Sequence, residues 1–165
     1  MSKIDSLNKV KINNGPTLVF SEKTNVIVRD GVTFKNLAKK EEFYPYEDWR
    51  LSPQKRAQDL ASRMTIKEIA GLMIYSSHQK VLDEQVTNEQ LSFIEKERGR
   101  HVLMTDVAST EVVVKWVNKL QVLAEEMPWG IPINISSDPR HRVKSGFESD
   151  DIKKKENSQL PEYKV

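Results

Sequence analysis

One long amphipathic segment, flanked by two short apolar runs, constrains the fold of this chain more than any other feature. Residues 109–127 carry apolar side chains at helical spacing, and Pro128 and Gly130 then end the segment. The runs at 101–104 and 131–135 are typical of buried parallel strands. Strand, helix and strand within about 35 residues make one βαβ unit, which predicts an α/β fold with a parallel sheet and a right-handed crossover. The apolar face of the helix comprises Val113, Trp116, Val117, Leu120, Leu123 and Ala124.

Two further helices are predicted upstream, and each begins at a capping residue. Ser52 is a candidate N-cap, and Pro53 suits the first helical position. Thr65 and Glu68 have the spacing of a capping box, so a second helix should start there and run to about Tyr75. We expect both helices to bury an apolar stripe against a core. The stripes are Ala57, Leu60, Ala61 and Met64 in the first helix, and Ile66, Ile69, Leu72 and Met73 in the second.

The segments on either side of these helices are less regular. Residues 17–20 and 25–28 are β-branched runs that either form two strands joined through 21–24 or lie as extended arms on a larger body. Residues 76–86 are interpreted as a polar connection. A capping box at Thr87 and Gln90 then predicts a short helix that ends near Gly99.

Composition excludes several classes of function. The 165 residues contain no cysteine, which excludes disulfides, thiolate metal sites and a cysteine nucleophile. A net charge of +2 gives no reason to expect a nucleic-acid or membrane-surface partner. No secretory signal is visible in the first 14 residues. We therefore expect a cytoplasmic protein if Met1 is the native start, and a periplasmic or secreted one if a leader was removed.

Three stretches together resemble the family 3 glycoside hydrolases of the β-glucosidase and β-xylosidase type. The first joins Tyr-Glu-Asp-Trp-Arg-Leu at 46–51 to Arg-Met-Thr at 63–65 and continues to Gly-Leu-Met at 71–73. The second runs from Asn-Lys-Leu-Gln at 118–121 to Gly-Ile-Pro at 130–132, and the third is Ser-Ser-Asp-Pro-Arg-His at 136–141. The resemblance covers residues 46–141, and it depends on the order and spacing of the three stretches.

The resemblance implies a fold and an activity. The fold would be a partial TIM-type (β/α) barrel with an N-terminal helical extension and a polar C-terminal tail. We accordingly divide the chain into an extended arm at 1–50, the start of the barrel domain at 51–141, and a polar loop or tail at 142–165. The parent enzyme would be an exo-acting retaining β-glycosidase that hydrolyses terminal β-linked sugars, with a β-linked oligosaccharide or glycoside as its partner and no cofactor.

Asp138 is the main candidate for substrate contact. Active sites of TIM-type barrels lie at the carboxyl ends of the strands, and Asp138 follows the run at 131–135. In the family, the matching aspartate binds sugar hydroxyls, and a carboxylate can accept two such donors in charge-assisted bonds. The alternative is a turn-capping role at Asp-Pro. Arg140 and His141 are secondary substrate-binding candidates, for which we favour structural roles. The family usually has glycine where Arg142 stands, which puts the local loop conformation in question.

We assign no catalytic residue. A retaining glycosidase needs two carboxylates about 5–5.5 Å apart, and the resemblance places its nucleophile in a Ser-Asp-Trp-type motif. Ser-Asp occurs at 137–138 and 149–150, but Trp follows neither pair. Glu125-Glu126 are interpreted as a solvated helix face and Asp150-Asp151 as part of a polar tail. We therefore predict that this chain is the N-terminal part of such an enzyme and is inactive alone.

No metal site is predicted either. Relatives often carry a calcium-loop-like run before the Tyr-Glu-Asp-Trp stretch, but here Ala38 and Lys40 cannot bind Ca²⁺ and Glu41 replaces the turn glycine. His78 and His101 lack metal-ligand spacing and are expected to have polar packing roles. The alternative functions are a non-catalytic helical interaction protein or a truncated gene remnant. A stand-alone carbohydrate-binding module is a third and weaker alternative, because such modules usually present a flat aromatic platform, whereas Trp116 and Trp129 look like core and turn residues.

Overall fold

The computed structural model describes residues 7–137, and every structural statement below concerns those residues. Two short 3-10 turns, Pro45–Glu47 and Pro128–Gly130, lie among the regular elements. No helix within this range is long and apolar enough to cross a bilayer. In chain order the elements are β1 (Leu7–Lys11), β2 (Thr17–Ser21), β3 (Val26–Arg29), β4 (Val32–Lys35), α1 (Pro53–Arg63), α2 (Ile66–Leu72), β5 (Tyr75–Val81), α3 (Asn88–Glu95), β6 (His101–Val107), α4 (Thr110–Glu126) and β7 (Asn134–Ser137).

The strands form three separate small sheets. β1 pairs with β2 and β3 with β4, both antiparallel, whereas β5, β6 and β7 form a parallel sheet with β6 at its centre. The α/β class is confirmed, but the prediction of a partial TIM-type barrel is wrong. Four of the seven described strands pair locally as antiparallel hairpins, and the three parallel strands remain an open sheet with two edges.

The βαβ unit is the part of the fold that the sequence predicted best. β6 and β7 are parallel neighbours, with His101 opposite Asn134 and Met104 opposite Ser137. α4 connects them and packs Trp116 into the core, where its indole Nε1 donates to Gln90 Oε1 at 3.2 Å. The core thus lies between the parallel sheet and the helices α3 and α4. Its buried members are Val81, Phe93, Ile94, Val102, Trp116, Leu120, Ala124 and Ile133.

The N-terminal strands exist where the sequence suggested. The runs at 17–20 and 25–28 are two strands joined through 21–24, as one of our two interpretations has it, but they do not pair with each other. β2 instead pairs with β1, and β3 pairs with β4 across Asp30-Gly31. Asp30 and Gly31 have φ values of 51° and 74°, the left-handed conformations that a tight two-residue hairpin loop requires. Local turn geometry therefore decided the pairing.

The caps of α1 and α2 are confirmed, whereas their buried stripes are not. Ser52 Oγ accepts the Lys55 N–H, and Thr65 and Glu68 form the reciprocal capping box. Yet α1 buries no side chain, and Ile66 at the start of α2 is 87% exposed. α2 also ends at Leu72, so that β5 occupies most of the segment we had interpreted as a polar connection.

The polar sequence of β5 explains why it was missed. The strand reads YSSHQKV, and only Gln79 and Val81 are buried in it. Such a segment has neither an alternating apolar pattern nor a continuous apolar run, so periodicity does not identify it as a strand. It is extended because its backbone pairs with β6, which is a tertiary contact.

Candidate functional site

The three predicted substrate-binding residues, Asp138, Arg140 and His141, lie outside the described residues. The same holds for the polar tail predicted at 142–165. The last described residue, Ser137, is also the last residue of β7 and directly precedes Asp138 in the sequence. The sugar-contact role of Asp138 therefore stays a prediction, and the structure describes only the strands that lead to it.

These strands present different chemistry on their two faces. Val102 and Met104 of β6 and Ile135 of β7 pack into the core beneath α3 and α4. Since side chains alternate along a strand, Leu103 and Ser136 project from the opposite face. Leu103 and Ser136 are also directly paired across β6 and β7. The face away from the helices therefore combines small, polar and apolar groups.

Ser136 is the most unusual group on this face. Its Oγ is buried and makes no hydrogen bond to any described residue. A buried hydroxyl without a partner costs free energy, so such an atom calls for an explanation. Ser136 stands two residues before Asp138 in the sequence. Nearby at the carboxyl end of the sheet, Lys80 and Asp106 form an ion pair at 3.6 Å between β5 and β6.

A row of aromatic and polar side chains crosses the opposite, amino end of the sheet. The Tyr75 and His101 rings stack with centroids 5.1 Å apart, and Asn134 Nδ2 lies 3.0 Å from His101 Nδ1. His101 thus has the polar packing role that the sequence predicted. Between residues 7 and 137 no cluster of three or more His, Asp or Glu side chains is arranged to hold a metal ion.

The Tyr46–Arg50 segment, which carries much of the family resemblance, has a structural role. Glu47 is buried, and its two carboxylate oxygens accept the backbone N–H groups of Ala38 and Tyr44, both at 2.9 Å. Glu47 therefore organises the backbone of the loop that precedes it. Trp49 Nε1 donates to the Thr33 carbonyl of β4 at 3.1 Å, which joins this segment to the N-terminal hairpins.

Asp59 of α1 anchors the same segment from the other side. It accepts the Tyr46 N–H at 3.1 Å and binds the Arg63 guanidinium at 2.8 and 3.0 Å. The hydrogen bond from Arg63 holds the pKa of Asp59 below its usual range. Arg56 Nε completes the contact by donating to the Tyr46 carbonyl at 2.8 Å. These bonds fix the start of α1 relative to the Tyr46–Arg50 segment.

Glu125 and Glu126 are not the solvated helix face that we expected. Glu125 Oε2 pairs with Lys35 Nζ at 2.6 Å, and its Oε1 accepts the Ser21 N–H at 2.8 Å. Glu126 pairs with Lys23 Nζ at 2.6 Å. The N-terminal region therefore binds to the last turn of α4 through both carboxylates.

Lys39 satisfies backbone carbonyls at the same helix end. Its Nζ donates to the Glu125 carbonyl at 2.8 Å and to the Met127 carbonyl at 2.9 Å. The last carbonyls of a helix have no partner within the helix, and a cation there also interacts well with the helix dipole. Burial lowers the pKa of Lys39, although the neighbouring carboxylates of Glu125 and Glu126 oppose the shift.

Arg100 is a buried residue that our sequence analysis missed. Its guanidinium donates to the carbonyls of Ile94, Gly99 and Ile131 at 2.7 to 3.0 Å. Burial lowers its pKa to about 10. It therefore holds the end of α3, the start of β6 and the entry to β7 together. An arginine in the polar run before a strand gives no sequence signal for such a role.

The open parallel sheet, with helices packed on one face, defines an α/β protein, and sequence comparison gives its relatives. No family model matches the chain. It is 35% identical over 127 residues to a periplasmic β-glucosidase/β-xylosidase of Dickeya chrysanthemi. The aligned region covers 73% of this chain and 19% of that protein. It is 32% identical over 111 residues to β-glucosidase C of Emericella nidulans, or 63% of this chain and 18% of that protein.

These similarities confirm the resemblance to family 3 glycoside hydrolases of the β-glucosidase and β-xylosidase type. A probable β-glucosidase C of Aspergillus flavus is also 28% identical over 129 residues. The chain spans about a fifth of the length of the curated relatives it matches. The shared segment therefore identifies the family, while the activity of the whole relatives is a separate question.

Proposed function

We propose that this chain supplies part of the sugar-binding region of an exo-acting retaining β-glycosidase that acts on terminal β-linked glycosides. The observation that carries the proposal is the 35% identity over 127 residues to a β-glucosidase/β-xylosidase. The position of β7 in the sequence supports it, because Asp138 directly follows Ser137, the last residue of that strand. A carboxylate at the carboxyl end of a parallel strand suits the general location of binding sites in α/β proteins.

In this proposal Asp138 accepts hydrogen bonds from two neighbouring hydroxyls of the terminal sugar. A charge-assisted hydrogen bond is roughly twice as strong as a neutral one, which suits a group that must hold an uncharged sugar. Arg140 and His141 support the loop around Asp138 rather than react. Ser136, whose hydroxyl lacks a partner among residues 7–137, lies close to Asp138 in sequence and would support the same region.

The decisive experiment places this sequence in an active relative. In the Dickeya chrysanthemi enzyme, the 127-residue segment similar to this chain is replaced by the corresponding residues of this chain, with Asp138 included, and release of nitrophenol from aryl β-glucoside and β-xyloside is measured. We expect the chimera to be active. Asp138→Asn should then lower kcat/KM by about 10²-fold, because the exchange of two charge-assisted hydrogen bonds for neutral ones costs about 1–1.5 kcal/mol each.

The matched control is Asp83→Asn, which changes an exposed loop aspartate whose carboxylate accepts only the Gln85 N–H among the contacts described. The control chimera should keep the activity of the unmodified chimera. An Asp138→Asn chimera that is equally active would contradict the sugar-contact role. An inactive but folded chimera would contradict the wider proposal that these residues serve glycoside hydrolysis.

We further propose that the 165-residue chain does not hydrolyse glycosides alone. Within it, neither Ser-Asp pair is followed by Trp, and Glu125-Glu126, which we considered as a dyad, bind lysines and backbone instead. The same nitrophenol assay on the isolated chain should give no turnover. Turnover that disappears with Asp138→Asn would show that the chain contains its own catalytic groups.

A further inference from the structure

A small cleft lies where α2, the loop before β6 and the Pro128–Gly130 turn meet. We name it the Arg100 cleft, and the polar side chains that line it are those of Glu68, Arg98, Arg100 and Trp129. Its volume is about 10 Å³, which is room for one water molecule or one monatomic ion. A sugar or any other organic molecule is too large for it.

Arg100 carries a buried charge that no carboxylate of the described residues neutralises. The residue is 3% exposed, and none of the ion pairs within residues 7–137 includes it. Arg50 and Arg63, by contrast, pair with Asp48 and Asp59 at 2.7 and 2.8 Å. A buried ion without a counter-ion is costly, because water no longer stabilises its charge. The guanidinium of Arg100 therefore favours the binding of an anion.

The same guanidinium has hydrogen-bond donors that no described residue uses. An arginine has five N–H donors. Nε of Arg100 donates to the Ile131 carbonyl and Nη1 donates to the carbonyls of Ile94 and Gly99, whereas Nη2 donates to none of the described residues. Nη2 is not among the fully buried side-chain atoms that lack a partner in this part of the chain, so a small species can reach it.

Arg98 makes the cleft more positive, and Glu68 only partly offsets this charge. Burial, followed by the repulsion from Arg98, lowers the pKa of Arg100, so the two cations lie close enough to disfavour each other. Glu68 is the carboxylate that lines the cleft, and its oxygens accept the Trp129 indole N–H at 3.0 Å and the Thr65 N–H at 2.8 Å. The lining therefore retains a net positive charge.

We propose that the Arg100 cleft binds one chloride ion, held by Nη2 of Arg100 and by the guanidinium of Arg98. A water molecule would satisfy the donors of Nη2 but would leave the charge without a counter-ion. Because residues of α2, of the loop before β6 and of the turn after α4 all line the cleft, the ion stabilises the contact between these three segments. The site contains no sugar contact and is independent of the proposed function.

The test uses the full 165-residue chain and chloride itself as the probe. Saturable broadening of the chloride NMR signal measures binding, and thermal unfolding is compared in sodium chloride and in sodium gluconate at equal ionic strength. Gluconate is too large for the cleft. Saturating chloride should raise Tm by about 2–4 °C relative to gluconate, because a ligand that binds only the folded state stabilises it.

Two variants and a matched control locate the ion. Arg100→Gln should abolish the saturable binding, and circular dichroism checks that this variant folds. Arg98→Gln should weaken binding about fivefold, because it removes one of the two cations but none of the bonds that Arg100 makes to carbonyls. Arg29→Gln removes the same charge from an exposed position on β3 and should leave the affinity for chloride unchanged.

Saturable binding by the unmodified chain and by Arg29→Gln, with weaker binding by Arg98→Gln, supports the inference. Arg98→Gln keeps the proposal testable if Arg100→Gln does not fold. An unmodified chain without saturable binding, or equal affinities for Arg98→Gln and Arg29→Gln, overturns it. Equal Tm values in the two salts overturn it as well, because they would show that the chain responds only to ionic strength.

Discussion

Phe34 of β4 is fully buried, whereas Ile66 of α2 is 87% exposed. The sequence had suggested the opposite, because it placed Phe34 in an extended arm and Ile66 in a buried helix stripe. The sequence predicted an extended arm at 1–50. Within it, residues 7–35 form two hairpins, and Lys23, Lys35 and Lys39 of this region bind α4. Residues 53–75 looked like two helices with buried stripes, and much of that apolar surface is exposed.

The difference shows what an apolar pattern does and does not predict. Helical spacing indicates which side of α2 could be buried, but burial also requires another surface to pack against. None of the described residues covers Ile66 or Met73. The N-terminal hairpins show the opposite case. Their attachment depends on lysine ammonium groups and backbone atoms, which carry no apolar periodicity.

The largest effect should come from the core of the N-terminal region. The Phe34 ring lies 4.7 Å from that of Phe43 and 5.9 Å from that of Trp49, and the Arg50 guanidinium lies 4.9 Å above it. Phe34→Ala should lower the free energy of unfolding by about 3–5 kcal/mol. Urea unfolding followed by tryptophan fluorescence measures this loss. Phe34→Leu, which keeps most of the volume, should cost clearly less, and a negligible loss for Phe34→Ala would mean that this region is an arm after all.

A smaller effect should follow removal of the contacts that Glu125 of α4 makes with the N-terminal hairpins. Glu125→Ala breaks the ion pair with Lys35 and leaves the Ser21 N–H without its acceptor, which should cost about 1–3 kcal/mol. Hydrogen exchange at the Ser21 amide should accelerate in the variant. Glu111→Ala is the control on the same helix, because its pair with Lys115 is exposed and should not affect stability measurably. Equal stabilities for the two variants would contradict the anchoring role of Glu125.

The smallest effect should come from the exposed side chain of Ile66 on α2. Ile66→Ala in the isolated chain should change the free energy of unfolding by no more than about 0.5 kcal/mol, because the side chain is exposed. Ile94→Ala on α3 is the buried counterpart and should cost about 2–5 kcal/mol. Thermal and urea unfolding compare the two. A loss above about 1.5 kcal/mol at Ile66 would show that α2 is covered in the isolated chain.

Local signals were sufficient for the parts of the fold that depend on local physics. Ser52, Thr65 and Thr87 each cap a helix in the way their spacing predicted, because a cap satisfies backbone N–H groups within one turn. The strand–helix–strand unit at 101–137 was also predictable, since its apolar pattern is strong and its partner strands are close in sequence. The family relationship, too, was visible in short ordered motifs.

The candidate site was predictable only in part. Glu47 and Asp59 lie within or beside the motif that identifies the family, but the sequence does not show that their carboxylates hold backbone N–H groups of other segments. Arg100 and Lys39 act on carbonyls that are distant in sequence or in another element. Such contacts depend on how helices and strands pack against one another, and that packing cannot be derived from the pattern of a single sequence.

The sequence by itself determined where the helices begin, that residues 101–137 form a parallel βαβ unit, and which family these residues resemble. Only the tertiary structure decided that β5 is a strand, that the hairpins close locally rather than join a barrel, and that Glu125 is anchored while Ile66 is exposed. The physical reason is that caps and turns satisfy hydrogen bonds between near neighbours. Strand pairing and burial instead require a surface from elsewhere in the protein.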